Sequence, residues 1–223
     1  MQPSPSTGQN PLRSVAIVPA FQERASIARV VEDIRRLSSA DVVVIDDGSG
    51  DGTAAAAVRA GARVITLPFN LGIGSAVQTG YMAALEGGYD VAVQVDGDGQ
   101  HPAEEIDRLI AALAESGADI VVGSRFIERG SYQAPFGRRF GIAVFARIVS
   151  LVTGLRMTDT TSGFRAAGPR AISLFAAAYP HDYPEVEAVI IAHRAGLRIV
   201  EVPVQMRERQ GGRSSITPVR SAY

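Results

Sequence analysis

The sequence predicts an α/β domain with a mostly parallel central sheet flanked by helices, and two observations carry that prediction. Four short apolar runs, VAIV at 15–18, VVVI at 42–45, VAVQV at 91–95 and DIVVG at 119–123, are continuous rather than alternating. Strands covered on both faces have this character. Helical patterns separate the runs, so strand and helix alternate through the first half of the chain. That order calls for parallel strands joined by crossovers, and ligands of such sheets bind beyond the carboxyl ends of the strands.

Each element has its own signal. After Ser26, a suitable N-cap, Ile27, Val30, Val31, Ile34 and Leu37 recur at helical spacing. The segment from Thr53 is alanine-rich and stops at Gly61, a common helix-ending residue. Past His101, Pro102 suits a first helical position, Glu104 and Glu105 suit the positive helix start, and Ile106, Leu109, Ile110 and Leu113 form an apolar stripe. The second half is less regular. It holds a Gly/Arg/aromatic stretch from Phe126 to Phe140, an apolar helix to about Val152, the polar run TDTTSGFRA, two further helices and a strand near IVEVPV. Residues 1–13 read as a loose tail and 14–223 as one domain, without an internal boundary or repeat.

Composition removes several classes of function. With 223 residues, 46% of them hydrophobic, the chain can bury one substantial core. A formal charge of −1 gives no broad positive field, which argues against a nucleic-acid-coating protein. The absence of cysteine excludes a disulfide scaffold, a zinc–thiolate site and a cysteine nucleophile, and it fits a reducing compartment. The opening MQPSPSTGQNPLR lacks the apolar run of a signal peptide. No stretch approaches the apolar length of a membrane span; the nearest, GIAVFARIVSLVTG, is short and interrupted by Arg147. Two expectations stay open for that segment: an amphipathic helix resting on a membrane, or a helix of the core.

Every strand of the first half hands over to a polar cluster: PAFQE at 19–23, DDGSGDGT at 46–53, DGDGQH at 96–101 and GSR at 123–125. A scaffold needs turn residues there, but it does not need carboxylates to recur there. In VDGDGQH, Asp96 and Asp98 flank Gly97 in a turning backbone, so little bulk separates two carboxylates, and Gln100 adds an amide oxygen. Mg2+ or Mn2+ prefers such oxygen ligands and typically joins one or two carboxylates to substrate phosphates. NLGIGSAVQTG supplies Gly72 and Gly74, but Val77 stands where a dinucleotide fingerprint has its third glycine, leaving a glycine-rich helix entrance that serves either a nucleotide or packing. His101, His181 and His193 lack metal-ligand spacing and are assigned ordinary structural roles; no GxSxG elbow exists for a serine hydrolase. Arg125, Arg138, Arg139, Arg165, Arg209 and Arg213 offer bidentate phosphate contacts, or are surface charges.

An A-x-x-E turn at 20–23, DDGSGDGT, a DxDxQH loop, GSR, SGFR and a late RxxGxS in this order resemble the family 2 glycosyltransferases of the GT-A fold, and most of all the dolichyl- and polyprenyl-phosphate sugar synthases. The match runs from about Val15 to Ile216. The resemblance implies an inverting transfer of a sugar from a UDP- or GDP-sugar to a polyprenyl phosphate at the cytoplasmic face of the membrane. It implies that Pro19, Phe21, Glu23, Asp46 and Asp47 surround the base and ribose, with Gly74 and Gly97 beside the nucleotide. Asp96, Asp98 and Gln100 would hold Mg2+ or Mn2+, and Arg125 and Arg209 would join Asp98 in catalysis at the phosphates. Arg138, Arg139, Ser162, Arg165 and Arg213 would meet the acceptor. Two departures stand out: Gln22 follows Phe21 where the family more often has Asn, and Ser215 replaces a frequent Lys, which passes the positive charge to Arg213. Many relatives continue into an amphipathic or transmembrane C-terminal segment, so a longer natural chain or a membrane-protein partner is expected to supply the anchor. The alternatives are the same donor chemistry with a polysaccharide or soluble acceptor, and a non-catalytic nucleotide-binding module.

Overall fold

The computed structural model describes residues 12–127, 154 and 157–207. Its strands are β1 (Ser14–Ala20), β2 (Asp41–Asp46), β3 (Arg63–Thr66), β4 (Val91–Gln94), β5 (Ile120–Ser124), β6 (Arg165–Ala167) and β7 (Ile199–Pro203). They form one sheet in the order β3-β2-β1-β4-β6-β5-β7. All the pairings are parallel except those of β6, which runs antiparallel to both β4 and β5. The α/β class with a mostly parallel sheet is therefore as the apolar runs predict. β3 and β6 are additions, since neither carries a continuous apolar run.

The strands of the four apolar runs are apolar through their centres because both their faces are covered. Along β1, Ala16, Val18 and Ala20 pack into one core with Val31 and Ile34 of helix α1 (Ile27–Leu37), Ala57 of α2 (Thr53–Arg59) and Ile106 and Leu109 of α4 (Glu104–Ser116). Val15 and Ile17 enter a second core with Val77 and Tyr81 of α3 (Ile73–Glu86), Phe175 of α5 (Pro169–Ala177) and Val189 of α6 (Pro184–Arg194). Burial of one such aliphatic side chain contributes about 1.5–3 kcal/mol over leaving it in water. The period of two thus sends alternate residues into opposite cores, and neither face retains a polar pattern.

Two helix starts differ in detail from the sequence expectation. Ser26 precedes α1, but its hydroxyl makes no cap bond to the helix; it donates instead to Glu23 Oε2 at 2.7 Å. Pro102 lies in a preceding turn, closed by Glu105 N–H to Pro102 O, and α4 begins at Glu104. Glu104, Glu105 and Asp107 still occupy the first turn, where the helix dipole favours them. The expected 1–13 tail lies almost entirely outside the described residues, as does GIAVFARIVSLVTG apart from Gly154.

Candidate functional site

Parallel pairing brings the carboxyl ends of β1, β2 and β4 to one edge of the sheet. Because β6 is antiparallel, its amino end and the SGF segment before it arrive at that same edge, with Arg165 registered beside Gln94 and Val122. The polar clusters singled out in the sequence are therefore neighbours in space.

The first two clusters are laced together. Gln22 N–H donates to Ser49 Oγ, Glu23 N–H to Thr53 Oγ1, Arg24 N–H to Asp51 Oδ2 and Asp47 N–H to Ala20 O. Ser49, Asp51 and Thr53 of DDGSGDGT thus supply acceptors for the backbone of residues 22–24, in which Gln22 stands at φ +55°. Gly48 is required where it lies: at φ +72°, an added Cβ would come 2.6 Å from the carbonyl carbon of Phe69. Pro19 is buried at the end of β1 and Phe21 is 42% exposed at the rim.

The two aspartates that open the motif have different tasks. Asp47 accepts Leu71 N–H at 2.7 Å and Gly72 N–H at 2.9 Å, so its carboxylate fixes the loop entering α3. Asp46 is 1% exposed; its Oδ1 takes Ser49 N–H at 3.3 Å, while its Oδ2 has no partner among the described residues. A buried carboxylate oxygen left in this way is an acceptor suited to a ligand donor. Gly74 is accounted for by packing: Pro180 O and the backbone of His181 stand where its Cβ would be.

In the third cluster Gln94 ends β4, and Val95 N–H makes one last bond to Ile17 O. Asp96 follows with its side chain 38% exposed. Gly97 lies against Pro19 O. Asp98 is only 8% exposed and its Oδ1 accepts Gln100 N–H at 3.0 Å, while Gln100 O accepts Arg207 N–H at 2.9 Å. Asp98 also lines a small cleft with Ser26, Asp33, Gly99 and Arg207. His101, assigned only a structural role from the sequence, accepts Asp96 N–H on Nδ1 at 2.9 Å. Burial pushes its pKa down to about 4, against the pull of Asp98, and the neutral ring then carries its proton on Nε2.

The fourth cluster faces protein. Arg125 gives Nε to Asp159 Oδ2 at 2.7 Å and Nη2 to Asp159 Oδ1 at 2.8 Å, and Nη2 also reaches Thr161 Oγ1. Asp159 is fully buried, and Glu201 in turn accepts the N–H groups of Thr158 and Asp159. Arg125, expected at the donor phosphates, thus has its fork engaged in holding the 158–161 segment. Ser162 and Arg165, expected at the acceptor, are 2% and 1% exposed. Arg165 Nη2 donates to Ser162 O and to Glu185 O, tying the SGFR segment to the start of α6. Glu185 is displaced upward in pKa by burial, with Arg165 opposing and Asp96 reinforcing, which places that carboxyl in the field of the same site. Arg138, Arg139, Arg209 and Arg213 lie outside the described residues.

The donor set suits a hard divalent cation. Asp96, Asp98 and Gln100 offer oxygen ligands on one loop, and Asp96 opens toward solvent. Among the described residues no three His, Cys, Asp or Glu side chains converge in a way that could hold a metal ion by themselves. An ion that keeps waters and shares substrate phosphates needs only such a partial set.

Residues 15–176 match the model of glycosyl transferase family 2. The chain belongs to this family. An undecaprenyl-phosphate mannosyltransferase of Micrococcus luteus is 33% identical over 216 residues, covering 92% of this chain and 88% of that protein. A polyprenol monophosphomannose synthase of Mycolicibacterium smegmatis is 30% identical, covering 96% and 84%. Among solved structures, a glucosyl-3-phosphoglycerate synthase of Mycobacterium tuberculosis, crystallised with Mn2+, UDP and glucosyl-3-phosphoglycerate, matches with a TM-score of 0.72 at 23% identity, over 95% of this chain and 75% of that one. That likeness establishes the GT-A fold for this family 2 glycosyltransferase. No helix among its described residues is long and apolar enough to cross a membrane.

Proposed function

We propose that this glycosyltransferase moves a sugar from a UDP- or GDP-sugar to the phosphate of a polyprenyl lipid, with inversion at the anomeric carbon. The observation that carries the reading is the meeting of DDGSGDGT, DGDGQH and SGFR at one sheet edge, in a chain related over most of its length to enzymes named for polyprenyl-phosphate mannosyl transfer. The base and ribose lie against Pro19, Phe21, Glu23 and Asp46, whose Oδ2 has no partner among the described residues. Asp96, Asp98 and Gln100 hold Mg2+ or Mn2+, which when bound supplies charge stabilisation for the departing nucleoside diphosphate. The resemblance assigns Arg209 to the phosphates and Arg138, Arg139 and Arg213 to the acceptor.

A monoester phosphate is already anionic at neutral pH, so the acceptor oxygen attacks the anomeric carbon without a strong general base. Catalysis then depends on holding acceptor and leaving group in line. The enzyme works at the cytoplasmic face of the membrane as a peripheral protein, held there with a membrane-protein partner. Exposed Phe21, Phe69, Leu71, Ile73 and Tyr183 support that placement, since they stand on the loops and the α3 start at the site edge. Residues 14–223 are the catalytic domain.

One observation favours a second reading. Glu185 is a carboxyl near Asp96 with a raised pKa, the property of a base for a sugar hydroxyl on a polysaccharide or soluble acceptor. Thermal-shift screening of UDP- and GDP-sugars with Mn2+ identifies the donor; a hundredfold excess over Kd adds about 2.7 kcal/mol of stability. Transfer from that donor to a short polyprenyl phosphate, compared with free oligosaccharides, then separates the readings. Efficient glycosylation of a hydroxyl, with the lipid phosphate inert, would overturn the first.

A further inference from the structure

The backbone at Asp96 has a problem that the sheet does not solve. Val95 N–H makes the last bond to β1, so the amide of Asp96 emerges beyond the ladder, followed by a loop with glycine at 97 and 99. Such a loop has many conformations, and an aspartate upon it has no fixed aim unless a side chain supplies the missing acceptor. His101 supplies it. Its Nδ1 accepts Asp96 N–H at 2.9 Å and its Nε2 lies 3.5 Å from Asp96 Oδ2, so one ring meets both the backbone and the carboxylate of the same residue.

The ring is itself held. His101 is 8% exposed and stacks on Phe164 with centroids 4.7 Å apart and planes inclined at 21°. Phe164 is fully buried in the SGFR segment; its N–H donates to Ser162 Oγ and its carbonyl accepts Gly123 N–H at 2.8 Å. DGDGQH and SGFR are thus joined through two rings at the point where donor and acceptor sides of the site meet.

We propose that His101 is a positioning residue for Asp96. Its acceptor nitrogen fixes the aspartate backbone, and Phe164 fixes the imidazole, so the SGFR segment sets the aim of the metal-facing carboxylate. The consequence for metal affinity rests on the reading of Asp96 as a metal ligand; the hold on the backbone does not.

Two substitutions separate the parts of the device. His101→Asn puts an amide oxygen near the place of Nδ1 and removes the stack, whereas His101→Phe keeps the stack and removes the acceptor. Mn2+ affinity in the presence of UDP is followed by the EPR signal of the free ion, together with the melting temperature and the exchange rate of the Asp96 amide by NMR. We expect His101→Phe to weaken Mn2+ binding about tenfold or more, in the range seen when a residue supporting a metal ligand is lost. Its Asp96 amide should exchange at least about tenfold faster, while His101→Asn stays within about threefold of wild type in both. Phe164→Leu, which spares the loop sequence, should lie between them. Unchanged Asp96 exchange in His101→Phe, or a drop in melting temperature in His101→Phe with unaltered Mn2+ affinity, overturns the proposal. So does an Asn variant as impaired as the Phe variant. Failure of the wild-type protein to bind Mn2+ with either UDP or GDP would contradict the metal reading instead, and the amide exchange would still decide the role of His101.

Discussion

Asp96 and Asp98 share a loop but not an environment. Asp96 opens toward solvent beside His101, whereas Asp98 is buried and held by the amide of Gln100. Asp98→Asn is nearly isosteric and retains an acceptor for that amide, so the melting temperature should stay close to wild type. Loss of its charge at the metal loop should lower transfer about 100-fold or more, equivalent to roughly 2.7 kcal/mol of transition-state stabilisation. Steady-state kinetics with and without EDTA checks this: full activity in the variant, or wild-type activity that survives excess EDTA, contradicts the metal assignment. Asp159 makes the opposite case. It is fully buried against the bidentate fork of Arg125, so Asp159→Asn removes the charged partner of a largely buried guanidinium. The expected cost is about 3 kcal/mol in urea unfolding; a change below about 1 kcal/mol would mean the pair is not what holds the 158–161 segment.

Elements explain what the sequence could and could not disclose. Strands β1, β2, β4 and β5 were legible because both their faces are covered, which turns burial into an unbroken apolar run. β3 escaped notice because it is a four-residue edge strand, exposed or half-buried along its length. β6 escaped because it is three residues long and begins with a buried arginine, whose charge hides its burial from any hydropathy pattern. The site clusters were legible as carboxylates recurring after strands, but the partners of those carboxylates were not. Asp47 reads in sequence as a ligand contact, and in the fold it holds Leu71 and Gly72. Arg125 and Arg165 read as phosphate donors, and in the fold they are bound to Asp159 and to backbone carbonyls. His101 lacked a signal because its importance lies in Phe164, a neighbour only in space. The role of Asp47 is open to measurement: Asp47→Asn can accept only one of the two amides well. Hydrogen exchange at Leu71 and Gly72 should then speed up by about tenfold or more, with β1 and β4 amides unchanged; unaltered protection at both would contradict the assignment.

At the scale of the whole molecule, one sheet performs both halves of the task. Its parallel strands deliver the polar turns, and β6, antiparallel to both its neighbours, returns the SGFR segment and the start of α6 to the same edge. The polar clusters after β1, β2 and β4 and the SGFR segment therefore meet at one edge of one sheet. The central claim is that this edge transfers a sugar to a lipid phosphate with a divalent cation. The most direct measurement is transfer of labelled sugar, from the donor identified by thermal shift, to a short polyprenyl phosphate and to the matching polyprenol, with Mn2+ and with EDTA. The account expects a labelled polyprenyl-phosphate sugar of inverted anomeric configuration with Mn2+, none with EDTA, and no product from the polyprenol. Equal transfer to the polyprenol, or product formed in EDTA, would contradict it.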